Sequence, residues 1–435
     1  MLDIKFIREN IELVRKAIIN KQVNANLDHL IALDDQRRKF IIETEAIRSR
    51  KNEISEILKK GKDEDLIKEG KDLKEKLAKL ELEQEEVEGQ WRLAMFEMPN
   101  IPMSDVPVGK DESENVVIHK KGELPKFKFE PKDHLALGEE LDLIDVPRAA
   151  KVAGTRFGFW KRAAVLFEMA LLWHFFKNLT DKEVIKKIAD SVQKGYNPKP
   201  FVPILPPVFL RPEVYERSGR LSPQDKDDKY FINSDELYLI GSAEHTMVSM
   251  HMDEILDEKN LPLRYLGFST AFRRESGSYG KDTRGMLRVH QFDKMEMESF
   301  TTPENGLLEH QFFIAVQEYI MQTLELPYQA VINCTGDMGK PNARQVDIET
   351  WFPGQGRYRE THSADFISDF QSRRLNIKIR RPNGTTDLVH TNDATGMAQR
   401  LILAIMENYQ TEKGTIIVPK ILVPYLGINE ITRGE

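Results

Sequence analysis

The stretch Phe272-Arg273-Arg274-Glu275-Ser276-Gly277-Ser278-Tyr279-Gly280-Lys281-Asp282-Thr283-Arg284-Gly285, resumed two residues later as Arg288-Val289-His290-Gln291-Phe292-Asp293-Lys294-Met295-Glu296, governs how the rest of the chain is read. It predicts an apolar strand, a glycine-rich polar loop and a second strand in which apolar residues alternate with polar ones. Gly277, Gly280 and Gly285 free the loop backbone, and the surrounding Arg273, Arg274, Lys281 and Arg284 carry charge suited to a polyphosphate or to RNA phosphates. The plainer reading is a hairpin with solvated charges. A phosphate-binding P-loop is excluded, because Glu275 stands where glycine is needed and Asp282 replaces the hydroxyl residue that would hold magnesium.

The same segment closely resembles motif 2 of the class II aminoacyl-tRNA synthetases in its seryl form. There a Phe-Arg-x-Glu strand enters a glycine loop and returns through Arg-Val-His-Gln-Phe-x-Lys-x-Glu, and the matches here run in order from 272 to 296. The resemblance extends over nearly the whole chain. Met1-Leu2-Asp3 with Ile7-Arg8-Glu9-Asn10 is similar to the family's N-terminus. Pro99-Asn100-Ile101, Val106-Pro107-Val108-Gly109 and Asp111-Glu112-Ser113 resemble its inter-domain linker. Gly154-Thr155-Arg156-Phe157 resembles the entry to its catalytic domain, and Pro206-Pro207 the motif 1 turn near its dimer interface.

Carried over residue by residue, the resemblance gives Arg273 the ATP α-phosphate and Glu275 the adenine amino group, with Val289 lining the adenine site and Arg274 in the ATP set. An arginine fork suits an α-phosphate that gains charge as it becomes five-coordinate. Glu296 would contact the substrate serine, since a site that hydrogen-bonds a hydroxyl rejects analogues lacking it. Ser242-Ala243-Glu244 resembles the Thr-x-Glu loop that grips the serine ammonium and carboxylate, with Ser242 keeping the hydroxyl. A helix N-cap at Ser242 is the plainer reading, and both can hold.

Glu360-Thr361-His362-Ser363 resembles the Glu-x-x-Ser element that contacts ATP and magnesium; Glu360 and Ser363 supply the hard oxygens Mg2+ prefers. The usual Ser-Cys-Ser-Asn continuation is replaced by Ala364-Asp365-Phe366-Ile367, and His362 reads as a hydrogen-bonding surface histidine sooner than a catalytic one. Val389-His390-Thr391-Asn392-Asp393-Ala394-Thr395-Gly396, followed by Arg400 and Glu407-Asn408-Tyr409-Gln410, resembles motif 3, whose arginine contacts the ATP γ-phosphate. The usual Thr-Leu-Asn-Gly-Ser is altered and one residue short, which leaves Asn392 and Thr395 as alternative serine contacts.

Outward from these motifs, the N-terminal hundred residues have another texture. Leu33, Phe40, Ile47 and Ile54 recur every seventh residue, as do Leu66, Leu73, Leu80 and Val87 after the polar break Gly61-Lys62-Asp63-Glu64-Asp65; Leu77 and Trp91 join the second seam. This predicts two long helices in an antiparallel coiled-coil hairpin, uninterrupted by proline. Acids outnumber bases there despite Arg48, Arg50, Lys51, Lys71, Lys74 and Lys79, so composition alone does not distinguish an RNA-binding arm from a spacer or dimerisation coil. Downstream, helices are predicted over 163–178, 181–194, 305–324 and 396–410, and strands over 238–240, 330–334 and 375–379. Strands grouped in the centre favour an α+β fold on an antiparallel sheet, with domains at 1–103 (helical, tRNA-binding by the resemblance) and 104–435 (catalytic).

Composition agrees with a soluble protein of two domains. The 435 residues exceed one ordinary core, and a net charge of −7 means that any nucleic-acid contact must use a local patch. Cys334 is the sole cysteine, which excludes an intramolecular disulfide and a cysteine-rich zinc site and fits a reducing cytosol. Ile7, Ile11, Val14 and Ile18 have amphipathic helix spacing rather than that of a signal peptide, and the longest apolar stretch, 163–176, contains Glu168.

The resemblance thus implies a cytoplasmic, homodimeric serine–tRNA ligase that uses ATP and Mg2+. It would make seryl-adenylate and pyrophosphate, then acylate tRNA(Ser), with tRNA(Sec) an open second acceptor. The arm would reach a tRNA bound to the second protomer. Three rivals stand beside it: a relative charging a carrier protein, which would lack the arm; a synthetase for another small amino acid; and a silent binding protein, which would be expected to lose Arg273 or Arg400.

Overall fold

A computed structural model describes residues 1–221, 223–275 and 286–434. The chain divides into two compact units, Met1–Ile101 and Pro102–Glu435. The first unit opens with α1 (Ile4–Glu9) and α2 (Ile11–Asn20), so the amphipathic N-terminal stretch is two helices broken at Asn10, whose backbone is non-helical. The side chain of Asp3 caps α1 by accepting from the Lys5 amide at 2.7 Å. Ile7 and Val14 are buried in a core shared with Leu30 and Leu33.

Two long helices follow, α3 (Leu27–Leu58) and α4 (Glu64–Glu97). Their contacts run in opposite directions: Leu33 clusters with Val87 and Trp91, Ile47 with Leu77 and Leu80, and Arg50 pairs with Glu69 at 2.8 Å. The heptads therefore form the seam they predict, antiparallel, with Phe40 and Leu73 half-buried beside it. The break between the helices is five residues long, as expected, but covers 59–63 rather than 61–65. Asp63 caps α4 by accepting from the amides of Asp65 and Leu66 at 3.0 and 3.1 Å, while Glu64 and Asp65 sit in the first turn, where carboxylates complement the helix dipole. Arg48 and Arg50 are both engaged in ion pairs across the two helices.

The second unit is built on one sheet of eight strands: β1 (Val116–Lys121), β2 (Val202–Ile204), β3 (Leu263–Phe272), β4 (Gln291–Thr301), β5 (Tyr328–Ile332), β6 (Arg344–Phe352), β7 (Arg357–Ser368) and β8 (His390–Ala398). Their spatial order is β1-β5-β6-β7-β8-β4-β3-β2, antiparallel throughout except between β2 and β3. This is the α+β arrangement that grouped strands imply. Helices α5 (Ala163–Leu179), α6 (Lys182–Val192), α7 (Gly306–Thr323) and α8 (Gln399–Asn408) supply apolar residues to its core. Phe167 and Phe175 of α5, Ile188 of α6, Phe312 and Ile320 of α7, and Leu401 and Ile405 of α8 join Met295, Val346, Ile348 and Met397 from the strands. Each such side chain stabilises the fold by about 1.5–3 kcal/mol through removal from water.

Three element boundaries differ from expectation, each for a pairing reason. The helix expected over 396–410 starts at Gln399, because Met397 and Ala398 are still paired with Met295 and Lys294 in the sheet. In the run 375–379, Leu375 ends a helix (Phe370–Leu375); Asn376, at φ 57°, turns the chain and the strand begins only at Lys378. The return strand of the central hairpin starts at Gln291 opposite Phe272, three residues later than Arg288. The glycine-rich loop, Ser276 to Gly285, lies outside the described residues.

Candidate active site

The chemistry-bearing strands meet on one face of the sheet. In β4, Phe292, Lys294 and Glu296 point to that face while Met295 and Met297 enter the core, the period-two alternation of a strand. In β7 a bulge intervenes: Glu360 pairs with Glu349, but His362 pairs with Ile348. The extra residue shifts the phase, so that Glu360 and Ser363, three apart, both reach the same face. Asp393 and Thr395 of β8 follow, and α8 opens with Gln399 and Arg400. Together with Arg273, Glu275, Arg288, Val289, Arg220 and Glu244 these residues line a cavity of about 260 Å³.

One end of the cavity is rich in arginines. Arg273 follows directly on β3; its Nε donates to the Gly241 carbonyl at 3.0 Å, and its guanidinium lies 5.2 Å from the Phe292 ring. Arg400 donates from Nε to the Leu287 carbonyl at 3.0 Å and from Nη1 to the Glu360 carboxylate at 2.9 Å. Burial raises the Glu360 carboxyl, but Arg400 outweighs it and the net shift is downward, so Glu360 stays charged. Glu275, at φ 55°, is held by Arg288. Val289 is buried in the wall. Arg274 is absent from the lining; its backbone amide donates to the Asp228 carbonyl at 3.1 Å and its guanidinium stands 6.0 Å from the Tyr230 ring.

The other end is rich in carboxyl groups. Glu244 opens a short helix (Glu244–Met247), and the residue ahead of it is Ala243; Ser242 makes no cap there. Instead the buried Ser242 hydroxyl accepts from Lys294 at 3.4 Å. Lys294 also pairs with Glu296 at 2.6 Å. Arg220 pairs with Glu244 at 2.9 Å and with Asp393 at 2.7 Å, and lies 3.7 Å from Asp365. Oxygen atoms of Glu244, Glu296 and Asp393 lie within 4.8 Å of one another.

These buried acids divide by environment. Burial raises the Glu244 carboxyl, but Arg220, His245 and Lys294 outweigh it and hold it below the usual range. Burial pushes Glu296 up to about 7 despite Lys294, and Asp365 up to about 6 despite Arg220. Asp393 and Glu298 are also driven well up, by burial and by the charge of Glu244.

Several sequence expectations are relocated. His362 is fully buried rather than at the surface; its Nδ1 lies 3.0 Å from Thr361 Oγ1, and burial lowers it to about 4, which keeps it neutral. The bulge turns it off the cavity face, so it is absent from the lining. Thr361 is in the lining, with its hydroxyl tied to Thr350 at 2.7 Å. Ser363 Oγ accepts from Gln345 at 3.2 Å. Thr395 lines the cavity, whereas Asn392 does not; the Asn392 amide lies 3.5 Å from Ser299 Oγ. Arg220, Lys294, Asp365 and Asp393 carried no assigned role in the sequence. One signal was available: the alternation Met295-Glu296-Met297-Glu298 marks an acidic face opposite an apolar one.

The chain matches two family models: the seryl-tRNA synthetase N-terminal domain over residues 1–102, and the tRNA synthetase class II core domain (G, H, P, S and T) over residues 230–409. It is 40% identical to serine–tRNA ligase of Symbiobacterium thermophilum, covering 100% of both chains, and 40% identical to that of Dictyoglomus turgidum, covering 99% of both. The seryl-tRNA synthetase of Pyrococcus horikoshii, solved in complex with ATP, superposes with a TM-score of 0.89 at 36% identity over 100% of both chains. The cytoplasmic serine–tRNA ligase of Naegleria fowleri, solved with AMP, gives 0.85 at 28% identity over 100% of this chain and 99% of that one.

Proposed function

The chain belongs to the seryl-tRNA synthetase family, and from that premise we propose that it activates L-serine with ATP and transfers the seryl group to tRNA(Ser). The observation that carries this reading is the shared cavity. Arg273, Arg400 and Glu360 line one end, and Glu244, Glu296 and Thr395 line the other, so phosphate-binding and ammonium-binding groups face one volume.

A serine carboxylate oxygen attacks the ATP α-phosphorus. The bond from phosphorus to the pyrophosphate bridging oxygen breaks, and pyrophosphate leaves with that electron pair. Arg273 stabilises the charge that grows on the α-phosphate, and Arg400 the charge on the departing group, so most of the catalysis is positioning and electrostatics. Glu275 and Val289 hold the adenine, with Thr361 beside the nucleotide. Glu244, with Ser242, takes the serine ammonium, and Glu296 with Thr395 reads the hydroxyl. Glu360 and Ser363 are the groups that would hold Mg2+: both line the cavity, and Glu360 keeps a charged, half-exposed carboxylate. The ion would offset phosphate charge. In the second half-reaction the terminal 3′-hydroxyl of the tRNA attacks the seryl carbonyl and AMP leaves.

The arm formed by α3 and α4 supports tRNA as the acceptor rather than a carrier protein, with tRNA(Sec) as the second RNA to test. RNA would be recognised there by shape and backbone contacts. A homodimer is supported by α5, whose Val165, Leu166, Met169 and Trp173 leave an apolar stripe exposed, Trp173 by 63%. Among the described residues no helix is long and apolar enough to cross a membrane, which fits a cytoplasmic enzyme.

ATP–pyrophosphate exchange with serine, threonine, alanine and glycine, followed by charging of tRNA(Ser), tests the reading. Exchange that depends on serine, with transfer to tRNA(Ser), is the expected result. Exchange with another amino acid but not serine would overturn the specificity, and exchange without charging of any tRNA would favour a carrier-protein acceptor.

A further inference from the structure

The amino-acid end of the cavity gathers more carboxyl groups than one serine ammonium would engage. β7, β8 and β4 are neighbours, and their register sets Asp365 opposite Asp393 and Asp393 opposite Glu298. Three carboxyl groups therefore stand in a row across three strands, an arrangement that like-charge repulsion makes destabilising for a sheet. Glu244 and Glu296 bring two more to the same place. All five are buried.

Among the described residues, two cations stand at ion-pair distance from them. Arg220 is shared among Glu244, Asp393 and Asp365, and Lys294 is taken by Glu296. Both oxygens of Glu298 are buried without a hydrogen-bond partner among the described residues. The α-ammonium of a substrate supplies one further positive charge, and a hydroxyl supplies none. Asp365 and Asp393, moreover, lie in the two runs that depart from the family pattern, after Ser363 and after His390. A divalent ion at Glu244, Glu296 and Asp393 is disfavoured, because Arg220 and Lys294 already pair with those three carboxyl groups and would repel a doubly charged ion more than a single ammonium.

Resting on the serine reading above, we propose that this subsite also takes, and activates, a small α-amino acid whose β-substituent is an ammonium group, of the 2,3-diaminopropionate class. The second ammonium would replace the serine hydroxyl between Asp393 and Glu296, while its α-ammonium keeps the place beside Glu244. The chemistry is unchanged: the carboxylate forms the bond to the α-phosphorus and pyrophosphate leaves. Threonine and alanine, which bring no second charge, gain nothing from Asp393.

The test is ATP–pyrophosphate exchange by the full chain with L-serine, L-2,3-diaminopropionate, L-threonine and L-alanine, repeated on Asp393→Asn. Wild type is expected to activate the diamino acid with kcat/KM within about tenfold of serine and well above alanine. In Asp393→Asn the ratio of diamino acid to serine kcat/KM is expected to fall by about 30-fold, the range for losing a charged hydrogen bond. Exchange with serine but not the diamino acid overturns the inference and leaves the serine assignment standing. An unchanged ratio in Asp393→Asn overturns the placement and so the inference. Exchange with the diamino acid but not serine supports the inference and overturns the serine assignment; exchange with neither overturns both. The wild-type comparison decides even where the variant fails to fold. Stoichiometric Zn2+ uptake abolished by Asp393→Asn, measured by titration without ATP, would also overturn it.

Discussion

The two ends of the cavity are balanced differently. At the nucleotide end each carboxylate has its own arginine: Glu275 with Arg288, and Glu360 with Arg400. At the amino-acid end, among the described residues, Arg220 and Lys294 pair with four of five clustered acids, and burial raises Glu296, Glu298, Asp365 and Asp393. On the proposed function the first end is arranged for a polyanion and the second for a cationic ligand. One end therefore derives its function from fixed pairs, the other from an incomplete set.

That contrast is open to breakage, beginning with the largest effect. If Arg273 stabilises the developing charge as proposed, Arg273→Ala is expected to lower kcat for pyrophosphate exchange by about 10³-fold. If the drop were confined to KM for ATP, the nucleotide end would be binding the ground state and not the transition state. If Glu244 takes the ammonium as proposed, Glu244→Gln should raise KM for serine by about 10- to 100-fold with KM for ATP little changed. Equal rises in both constants would mean that the two ends are not separable.

The pH dependence separates them without mutation. Glu296, with an ordinary value of 4.5 and a folded value of about 7, binds its proton more tightly when folded. The folded state thus holds more protons than the unfolded state between these values, and stability falls as pH rises from about 4.5 to about 7, levelling above that. Glu168, also raised to about 7 by burial, acts in the same sense. Thermal melts across this range should show the decline, and a seryl-adenylate analogue, whose ammonium favours the charged carboxylates, should flatten it. ATP, bound at the paired end, should leave the slope in place. Smallest of all, Ser242→Ala loses one long hydrogen bond to Lys294 and should raise KM for serine only a few-fold, an effect of about 0.5–1.5 kcal/mol.

How much of this was legible depends on the range of the interactions involved. Leu33, Ile47 and Ile54 announce α3, because a coiled-coil seam is written in a single period that neighbouring turns repeat. The β3–β4 hairpin was equally readable, since its strands are separated only by their own loop. The nucleotide end came through a continuous motif carrying Arg273 and Glu275, and its partners Glu360 and Arg400 came through two more. His362 was misplaced, and the choice between Asn392 and Thr395 was left open, for a geometric reason. A bulge in β7 and the alternation along β8 choose which face a residue meets, and a shift by one residue inverts it. Arg220 carried no local mark at all. Its partners lie at 244, 365 and 393, and only the folded sheet brings them within ion-pair distance.

By itself, then, the sequence determined the helical hairpin, the α+β class, the family and two of the arginines that line the cavity, because each of these rests on local periodicity or on a contiguous motif. Only the tertiary structure decided that Thr395 faces the cavity and Asn392 does not, that His362 is buried and neutral, and that five carboxyl groups cluster around Arg220 and Lys294. Those properties depend on strand register, on bulges and on charges converging from separate strands, none of which is a property of neighbouring residues in the chain.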